Sequence, residues 1–220
     1  MKQSTRMYLF IFCEECLLNY APAMIALNFT STSGIVILSI GVLFVLGIPL
    51  AQHYNPALPS LRSEFKSNTK KEDKYLTLLF VFMYLALIGI ISFGYKKRQP
   101  VSMLYIVPGA VLRVIGYAIK LWALKTNSFL ATTICIQKGH KVIDSGPYAF
   151  VRHPFYTATT LVISSCPVIY GNIAGLCFSL LFIIHKIIRI GYEESTLNKE
   201  LDGYTQYMQK VKYKLFPFIY

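Results

Sequence analysis

The stretch "YLTLLFVFMYLALIGIISFGY", residues 75–95, decides the fold class. It carries no charged side chain over 21 residues, and "GIVILSIGVLFVLGIPLA", residues 34–51, carries none over 18. An α-helix rises 1.5 Å per residue, so segments of this length can cross a hydrocarbon core about 30 Å thick. The two runs together predict an integral membrane protein.

The rest of the chain extends this pattern. Hydrophobic residues make up 55% of the 220 residues, more than is usual for a soluble domain. We predict crossings at 34–52, 75–95 and 102–124, and a helical hairpin within 157–190, where proline and "YGN" interrupt the apolar run. The segment 7–29 is either another crossing or an interfacial helix, because it carries two glutamates. The sequence therefore predicts an all-α, polytopic membrane helix bundle with five or six crossings.

The charge of the chain is explained by membrane topology. There are 22 Lys and Arg against 10 Asp and Glu, a net charge of +12. The positive residues lie mostly in loops, and loops rich in Lys and Arg usually face the cytosol. This predicts a cytosolic position for the segment 125–156 and for the C-terminal tail, residues 191–220. The basic run "KKR" at 96–98 then falls on the opposite side of the membrane, against the rule. No basic patch carries a nucleic-acid motif, so we expect no nucleic-acid partner. An odd count of five cysteines argues against a disulfide framework, and we expect no metal site.

Two polar clusters flank the predicted hairpin. The first is "GHKVIDSGPYAFVRHPFY", residues 139–156, and the second is "HKIIRIGYEESTL", residues 185–197. A hairpin returns the chain to the membrane face from which it started. We therefore predict that the two clusters meet at one face of the membrane.

Each cluster has a structural and a functional interpretation. On a helix, His185, Arg189 and Glu193 share one face. In the structural interpretation, Arg189 simply pairs with Glu193. In the functional interpretation, the planar guanidinium of Arg189 binds an anionic ligand. His153 precedes Pro154, which holds it extended and begins a helix, so its imidazole lies at a helix N-terminus. The aromatic and basic residues around it could also form a belt at headgroup level.

The compound pattern resembles the isoprenylcysteine carboxyl methyltransferase family. It consists of "SGPYAFVRHPFY", the hairpin, "EESTL" and the tyrosine pair Tyr204 and Tyr207, from about residue 137 to 217, and the wider phospholipid methyltransferase group shares parts of it. The resemblance implies a membrane enzyme that uses S-adenosylmethionine. It divides the chain into N-terminal transmembrane helices, 1–124, and a catalytic region, 125–220. That region comprises a cofactor-binding loop, the hairpin and a cytosolic amphipathic helix that ends before Pro217.

The resemblance also implies roles for single residues. Arg189 faces the substrate, and Glu193 and Arg152 complete the catalytic set, with Glu194 as a further candidate. The implied cofactor-binding residues are His140, Lys141, Val142, Ile143, Gly146, Tyr148, His153, Pro154, Phe155, Tyr156, Glu193 and Glu194. In one departure from the family, "LDGY" at 201–204 is one residue short, which leaves Tyr204 and Tyr207 without assigned roles.

The expected reaction is methylation of a lipophilic acceptor, first of all the carboxylate of a prenylated cysteine. A carboxylate is ionised at neutral pH and needs no base, whereas an amine would need His153 or Glu194 as base. The alternatives are a phospholipid or amine N-methyltransferase, a non-enzymatic scaffold, and an NADPH-dependent reductase of the sterol type. The reductase would use Lys138, Lys141 and Arg152 to meet a 2′-phosphate. We expect the active site to face the cytosol from the endoplasmic reticulum or from a bacterial or archaeal plasma membrane.

Overall fold

The computed structural model describes residues 31–54, 71–95, 100–131 and 133–220. Within these residues the secondary structure is helical and contains no strand, as the all-α prediction requires. Six α-helices are present in this part of the chain: α1 Thr32–Tyr54, α2 Lys71–Tyr95, α3 Met103–Thr126, α4 Pro154–Ile169, α5 Ile173–Glu200 and α6 Tyr204–Lys210. A short 3-10 helix, Gly146–Ala149, precedes α4.

Three of these helices are long and apolar enough to cross a membrane: α2, α3 and α5. The first two coincide with the crossings predicted at 75–95 and 102–124. The prediction that α1 crosses, and the total of five or six crossings, stay predictions. The segment 7–29 lies outside the described residues.

Helices α4 and α5 form the predicted hairpin. They are joined at residues 170–172, where Asn172 caps α5 by accepting a hydrogen bond from the Gly175 N–H at 2.7 Å. The Asn172 side-chain amide also donates to the Ile90 carbonyl of α2 at 3.1 Å. The hairpin turn is therefore attached to a neighbouring helix.

The prediction that the tail, residues 191–220, forms one amphipathic helix ending before Pro217 is wrong. Helix α5 continues to Glu200, because Ile190, Glu194 and Leu197 keep the inward-facing helical spacing beyond the apolar run. The chain then breaks, and α6 has only seven residues, Tyr204–Lys210. Residues 211–220 return towards the start of α4 in a non-helical course.

Close packing of α3 on α4 fixes the position of the first hairpin helix. A Cβ at Gly109 would lie only 2.8 Å from the Ile169 backbone nitrogen, so only glycine permits this approach. One turn further along α3, Arg113 is fully buried and donates to the Ser165 hydroxyl at 3.0 Å. These contacts hold α4 against α3.

The second hairpin helix, α5, is held against α2. Phe182 is buried among α2 residues that include Leu87 and Ile91. One turn towards the C-terminus, His185 Nε2 donates to the Leu76 carbonyl at 2.8 Å. The part of α5 that carries the second polar cluster therefore lies beside the beginning of α2.

Candidate active site

The hairpin brings the two polar clusters into contact. His153 Nε2 lies 3.2 Å from Glu194 Oε1, and His153 Nδ1 lies 4.0 Å from Glu193 Oε1. Helix α4 begins at Pro154, as the His-Pro pair predicts, but the N-cap residue His153 has φ −124° and ψ 58° and not the extended backbone expected before a proline. The meeting of residues about 40 positions apart confirms the prediction that the two clusters come together, and their place at one membrane face stays a prediction.

Arg152 lies at the centre of a buried network. Its guanidinium donates to both carboxylate oxygens of Glu194, at 2.6 and 3.3 Å, and to the carbonyls of Val211 and Lys212, at 2.7 and 2.9 Å. Burial lowers the pKa of Arg152, but the hydrogen bonds and charge of Glu194 outweigh it, and the net shift is upward. These contacts attach Glu194 to the chain beyond α6, and a substrate role for Arg152 stays a prediction.

The segment 211–215 packs against this network and adds further hydrogen bonds to it. The backbone N–H groups of Arg152 and His153 donate to the carbonyls of Tyr213 and Lys214, each at 2.9 Å. Lys214 Nζ lies 3.3 Å from Glu194 Oε2. The backbone on which His153 is presented is therefore paired with the tail.

A cavity of about 470 Å³ lies above the junction of the two clusters. Its lining comes from α2, from the segment 127–143, from the first cluster, and from α5 and α6. Eleven of the predicted site residues line it: His140, Lys141, Val142, Ile143, Tyr148, Arg152, His153, Phe155, Tyr156, Arg189 and Glu193.

Three predicted site residues do not line the cavity. Gly146 has φ +58°, and a Cβ there would lie 2.7 Å from Thr126 Oγ1, so this glycine fits the loop against α3. Pro154 is the first residue of α4. Glu194 is buried beneath the cavity, where it accepts hydrogen bonds from the cavity-lining Arg152. Their contacts shape the site without reaching its surface.

The polar wall of the cavity is formed by α5 and Tyr156. The Tyr156 hydroxyl donates to Glu193 Oε2 at 2.6 Å. The ring of Tyr156 has Lys186 Nζ 5.1 Å from its centroid and Arg189 Cζ 5.7 Å from it. Both cations and Glu193 therefore converge on one aromatic ring.

The acidic partner of Arg189 is not the one that the helical spacing suggests. Arg189 Nη2 lies 2.9 Å from Asp73 Oδ1 on α2, whereas Glu193 is bound to Tyr156. His185, grouped with them by spacing, contacts α2 and does not line the cavity. The ion pair of Arg189 is therefore made with an acid that the neighbouring helix supplies.

The apolar wall comes from residues that the sequence does not single out. Helix α2 contributes Phe80, Val81, Tyr84 and Leu85, and the segment 127–136 contributes Phe129, Leu130 and Ile134. Val81 and Leu85 are each about half exposed on the outer face of α2, at 47% and 54%. The cavity therefore extends to a surface that the acyl chains of a membrane would cover.

His140 marks the opposite end of the cavity. Its imidazole stacks on Phe129 with centroids 4.6 Å apart and an interplanar angle of 22°. Burial lowers the pKa of His140, and the nearby charge of Glu193 opposes this shift only in part. The imidazole is therefore neutral at neutral pH.

We expect ligand binding at this end to weaken in acid. Because the folded-state pKa of His140 lies below the ordinary value of 6.5, protonation opposes the buried, stacked form, and binding is lost only as pH falls through the lowered pKa. For S-adenosylhomocysteine, the product of the cofactor that the sequence resemblance implies, the dissociation constant measured by calorimetry should be flat from pH 8 to about 6.5 and rise below that. The variant His140→Phe keeps an aromatic ring that does not titrate. An identical acid dependence in this variant would assign the effect to another group.

Tyr204 and Tyr207, which the sequence leaves unassigned, are buried and line the cavity. The Tyr207 hydroxyl donates to the Tyr148 carbonyl at 2.7 Å. Burial raises the pKa of both phenols, so both remain un-ionised. Helix α6 thus holds the segment around Tyr148 in place.

Comparison with known proteins bears on the same region. Residues 109–199 match the isoprenylcysteine carboxyl methyltransferase (ICMT) family. The match confirms the resemblance, although it begins before residue 137 and ends before Tyr204 and Tyr207. Together with the three membrane-capable helices, it indicates a membrane methyltransferase. The chain is also 25% identical over 127 residues to the uncharacterized protein YpbQ of Bacillus subtilis (strain 168). The aligned residues make up 57% of this chain and 73% of that protein.

Proposed function

We propose that this protein transfers a methyl group from S-adenosylmethionine to a lipophilic acceptor, first of all the carboxylate of a prenylated cysteine. The observation that carries the proposal is a single cavity with a polar wall at Arg189, Tyr156 and Glu193 beside an apolar wall that reaches the outer face of α2. A soluble cofactor and a lipid can meet in such a cavity. The family match over 109–199 supports the reaction class.

The residues at the His140 end fit S-adenosylmethionine. The cavity volume lies within the range usual for small-molecule sites. Val142, Ile143 and the His140–Phe129 stack offer apolar and aromatic surface for an adenine ring. Glu193, which is 25% exposed, offers negative charge to a cationic ligand. When bound, the cofactor supplies a methyl group that the acceptor oxygen takes up, giving a methyl ester and S-adenosylhomocysteine.

Arg189 is the residue that we assign to the acceptor. Its guanidinium can hold the two oxygens of a carboxylate without protonating them. A carboxylate held in this way is aligned before reaction, which removes much of the entropic cost of bringing two reactants together. The hydrocarbon part of the acceptor would lie along Phe80, Val81, Tyr84 and Leu85.

The polar wall favours an acid over an amine. At the acceptor position an ammonium group would meet Arg189 and Lys186, which repel it, while Glu193 accepts a hydrogen bond from Tyr156. Of the two candidate bases for an amine, His153 and Glu194, the second is bound to Arg152 and Lys214 below the cavity. A reductase is also disfavoured, because Arg152, one of three cations expected to meet a 2′-phosphate, is engaged by Glu194 and two carbonyls.

The proposal is tested by binding and by product analysis. Purified protein should bind S-adenosylhomocysteine with measurable heat, and no heat at high protein concentration would contradict the cofactor assignment. With radiolabelled S-adenosylmethionine and N-acetyl-S-farnesylcysteine as probe acceptor, base treatment should release volatile methanol from an ester. Label that survives base would indicate an N- or S-methyl product and would overturn the carboxylate assignment.

A further inference from the structure

Asp73 joins three elements around the cavity. It lies in the first turn of α2 and is only 1% exposed. Its Oδ1 is 2.9 Å from Arg189 Nη2 on α5, and its Oδ2 accepts a hydrogen bond from the Ile134 N–H at 3.0 Å. Ile134 belongs to the apolar wall of the cavity. One carboxylate thus contacts both the proposed acceptor-binding residue and a wall of the acceptor pocket.

The burial of Asp73 is informative because an isolated buried carboxylate is costly. Taking a charge out of water costs several kcal/mol unless a cation and hydrogen-bond donors compensate for it. Asp73 has both, one on each oxygen. Its neighbour Glu72, in the same turn, is exposed. The general preference for acids at a helix N-terminus accounts for either residue, but only Asp73 faces the site.

The contact with Asp73 restricts the arginine that it meets. An arginine side chain has many rotamers, and holding it in one orientation before a ligand arrives makes binding stronger. The Arg189 guanidinium is bounded by Asp73 on one side and by the ring of Tyr156 on another, 5.7 Å from Cζ. Its orientation is therefore set by two residues on two other helices.

We propose that Asp73 is a positioning residue for the acceptor site. It fixes the fork of Arg189 and, through Ile134, sets the distance between that fork and the apolar wall. The inference rests on the proposed function insofar as Arg189 binds the acceptor. Asp73 lies outside residues 109–199, so this element is added by a part of the chain that the family match does not cover.

The first test compares Asp73→Asn with the matched control Glu72→Gln. An asparagine can still accept the Ile134 N–H but does not pair with Arg189 as an ion. We expect the KM for N-acetyl-S-farnesylcysteine to rise about tenfold or more, with a smaller change in kcat and an S-adenosylhomocysteine affinity within about twofold of the original. Glu72→Gln should change none of these. A loss of thermal stability with an unchanged KM would show a merely structural role and overturn the proposal.

A second measurement does not depend on activity. Phenylglyoxal modifies accessible arginines, and mass spectrometry reports the rate at each one. We expect Arg189 to react at least about fivefold faster in Asp73→Asn, while Arg152, bound to Glu194, keeps its rate as an internal control. Equal Arg189 rates in both proteins would overturn the inference. If the unaltered protein neither binds S-adenosylhomocysteine nor uses the probe, the proposed function fails, and the arginine rates still decide the role of Asp73.

A conservative variant covers the case in which Asp73→Asn does not fold. Asp73→Glu keeps the charge but moves it by one methylene. We expect it to keep cofactor affinity and to raise the acceptor KM by several-fold, because the arginine fork shifts with its partner. An unchanged acceptor KM in a folded Asp73→Glu variant would contradict a positioning role.

Discussion

Arg189→Ala should lower turnover at least about a thousandfold while the affinity for S-adenosylhomocysteine stays within about threefold. Arg189 lies on the polar wall beside Tyr156, with its guanidinium held by Asp73. Without it, an anionic acceptor loses its counter-charge and its orientation, whereas the His140 end of the cavity is unchanged. Single-turnover transfer to N-acetyl-S-farnesylcysteine and calorimetric binding of S-adenosylhomocysteine measure the two effects separately.

Two further variants make this result specific. Arg189→Lys keeps the charge but loses the planar fork, so we expect partial activity with a raised acceptor KM. Lys199→Ala removes an exposed cation from the same helix and should leave both measurements unchanged. If Arg189→Ala weakened cofactor binding as much as turnover, Arg189 would have to be reassigned to the cofactor.

The second large effect is expected on stability. Arg152→Met should reduce the free energy of unfolding by about 3 kcal/mol, because it removes the buried guanidinium shared by Glu194 and two tail carbonyls and leaves Glu194 with only Lys214 and His153. Methionine preserves much of the volume and length of the side chain, which limits the contribution of a cavity. Denaturant unfolding in detergent, followed by tryptophan fluorescence, measures the change.

An exposed ion pair offers the matched control. Lys210 and Asp144 are 2.7 Å apart, but their side chains are 66% and 49% exposed. Surface pairs of this kind often contribute nothing measurable, so Lys210→Met should leave the unfolding midpoint unchanged. If Arg152→Met were as stable as the original protein but lost turnover, the buried network would not contribute to stability. That result would support the catalytic role that the sequence predicts for Arg152.

The sequence was sufficient for the hairpin and for the meeting of its flanking clusters. Long uncharged runs predict membrane-length helices, and the "YGN" turn at 170–172 divides the apolar run 157–190 into the two helices of the hairpin. Pro154 favours the start of α4 through the geometry of its own ring, which does not depend on the remainder of the fold. These features depend on residues that lie close together in the sequence, so a single sequence is enough to predict them.

The partners of the charged residues could not be predicted in the same way. Asp73 and Arg189 are 116 positions apart, and an acid just before an apolar helix looks like an ordinary helix N-terminus. Arg152 reads as part of a basic loop at headgroup level, yet it is buried against a glutamate 42 positions away. Such pairings depend on which helices become neighbours.

The apolar wall was missed for a related reason. Phe80 and Tyr84 are unremarkable in a membrane-length helix, where most side chains face lipid or other helices. Their place in the cavity follows only from the position of α2 beside α5. A hydrophobic pattern identifies which residues avoid water, but not which of them face a cavity.

The pairing of the tail with Arg152 sets an order of assembly during synthesis. The guanidinium of this arginine binds carbonyls that the ribosome adds 59 and 60 residues later, after both arms of the hairpin have been made. During synthesis the hairpin is therefore complete before the segment that pairs with the backbone of Arg152 and His153 has been made. The pocket can reach its final shape only after residues 211–215 have been made and have folded back onto the start of α4.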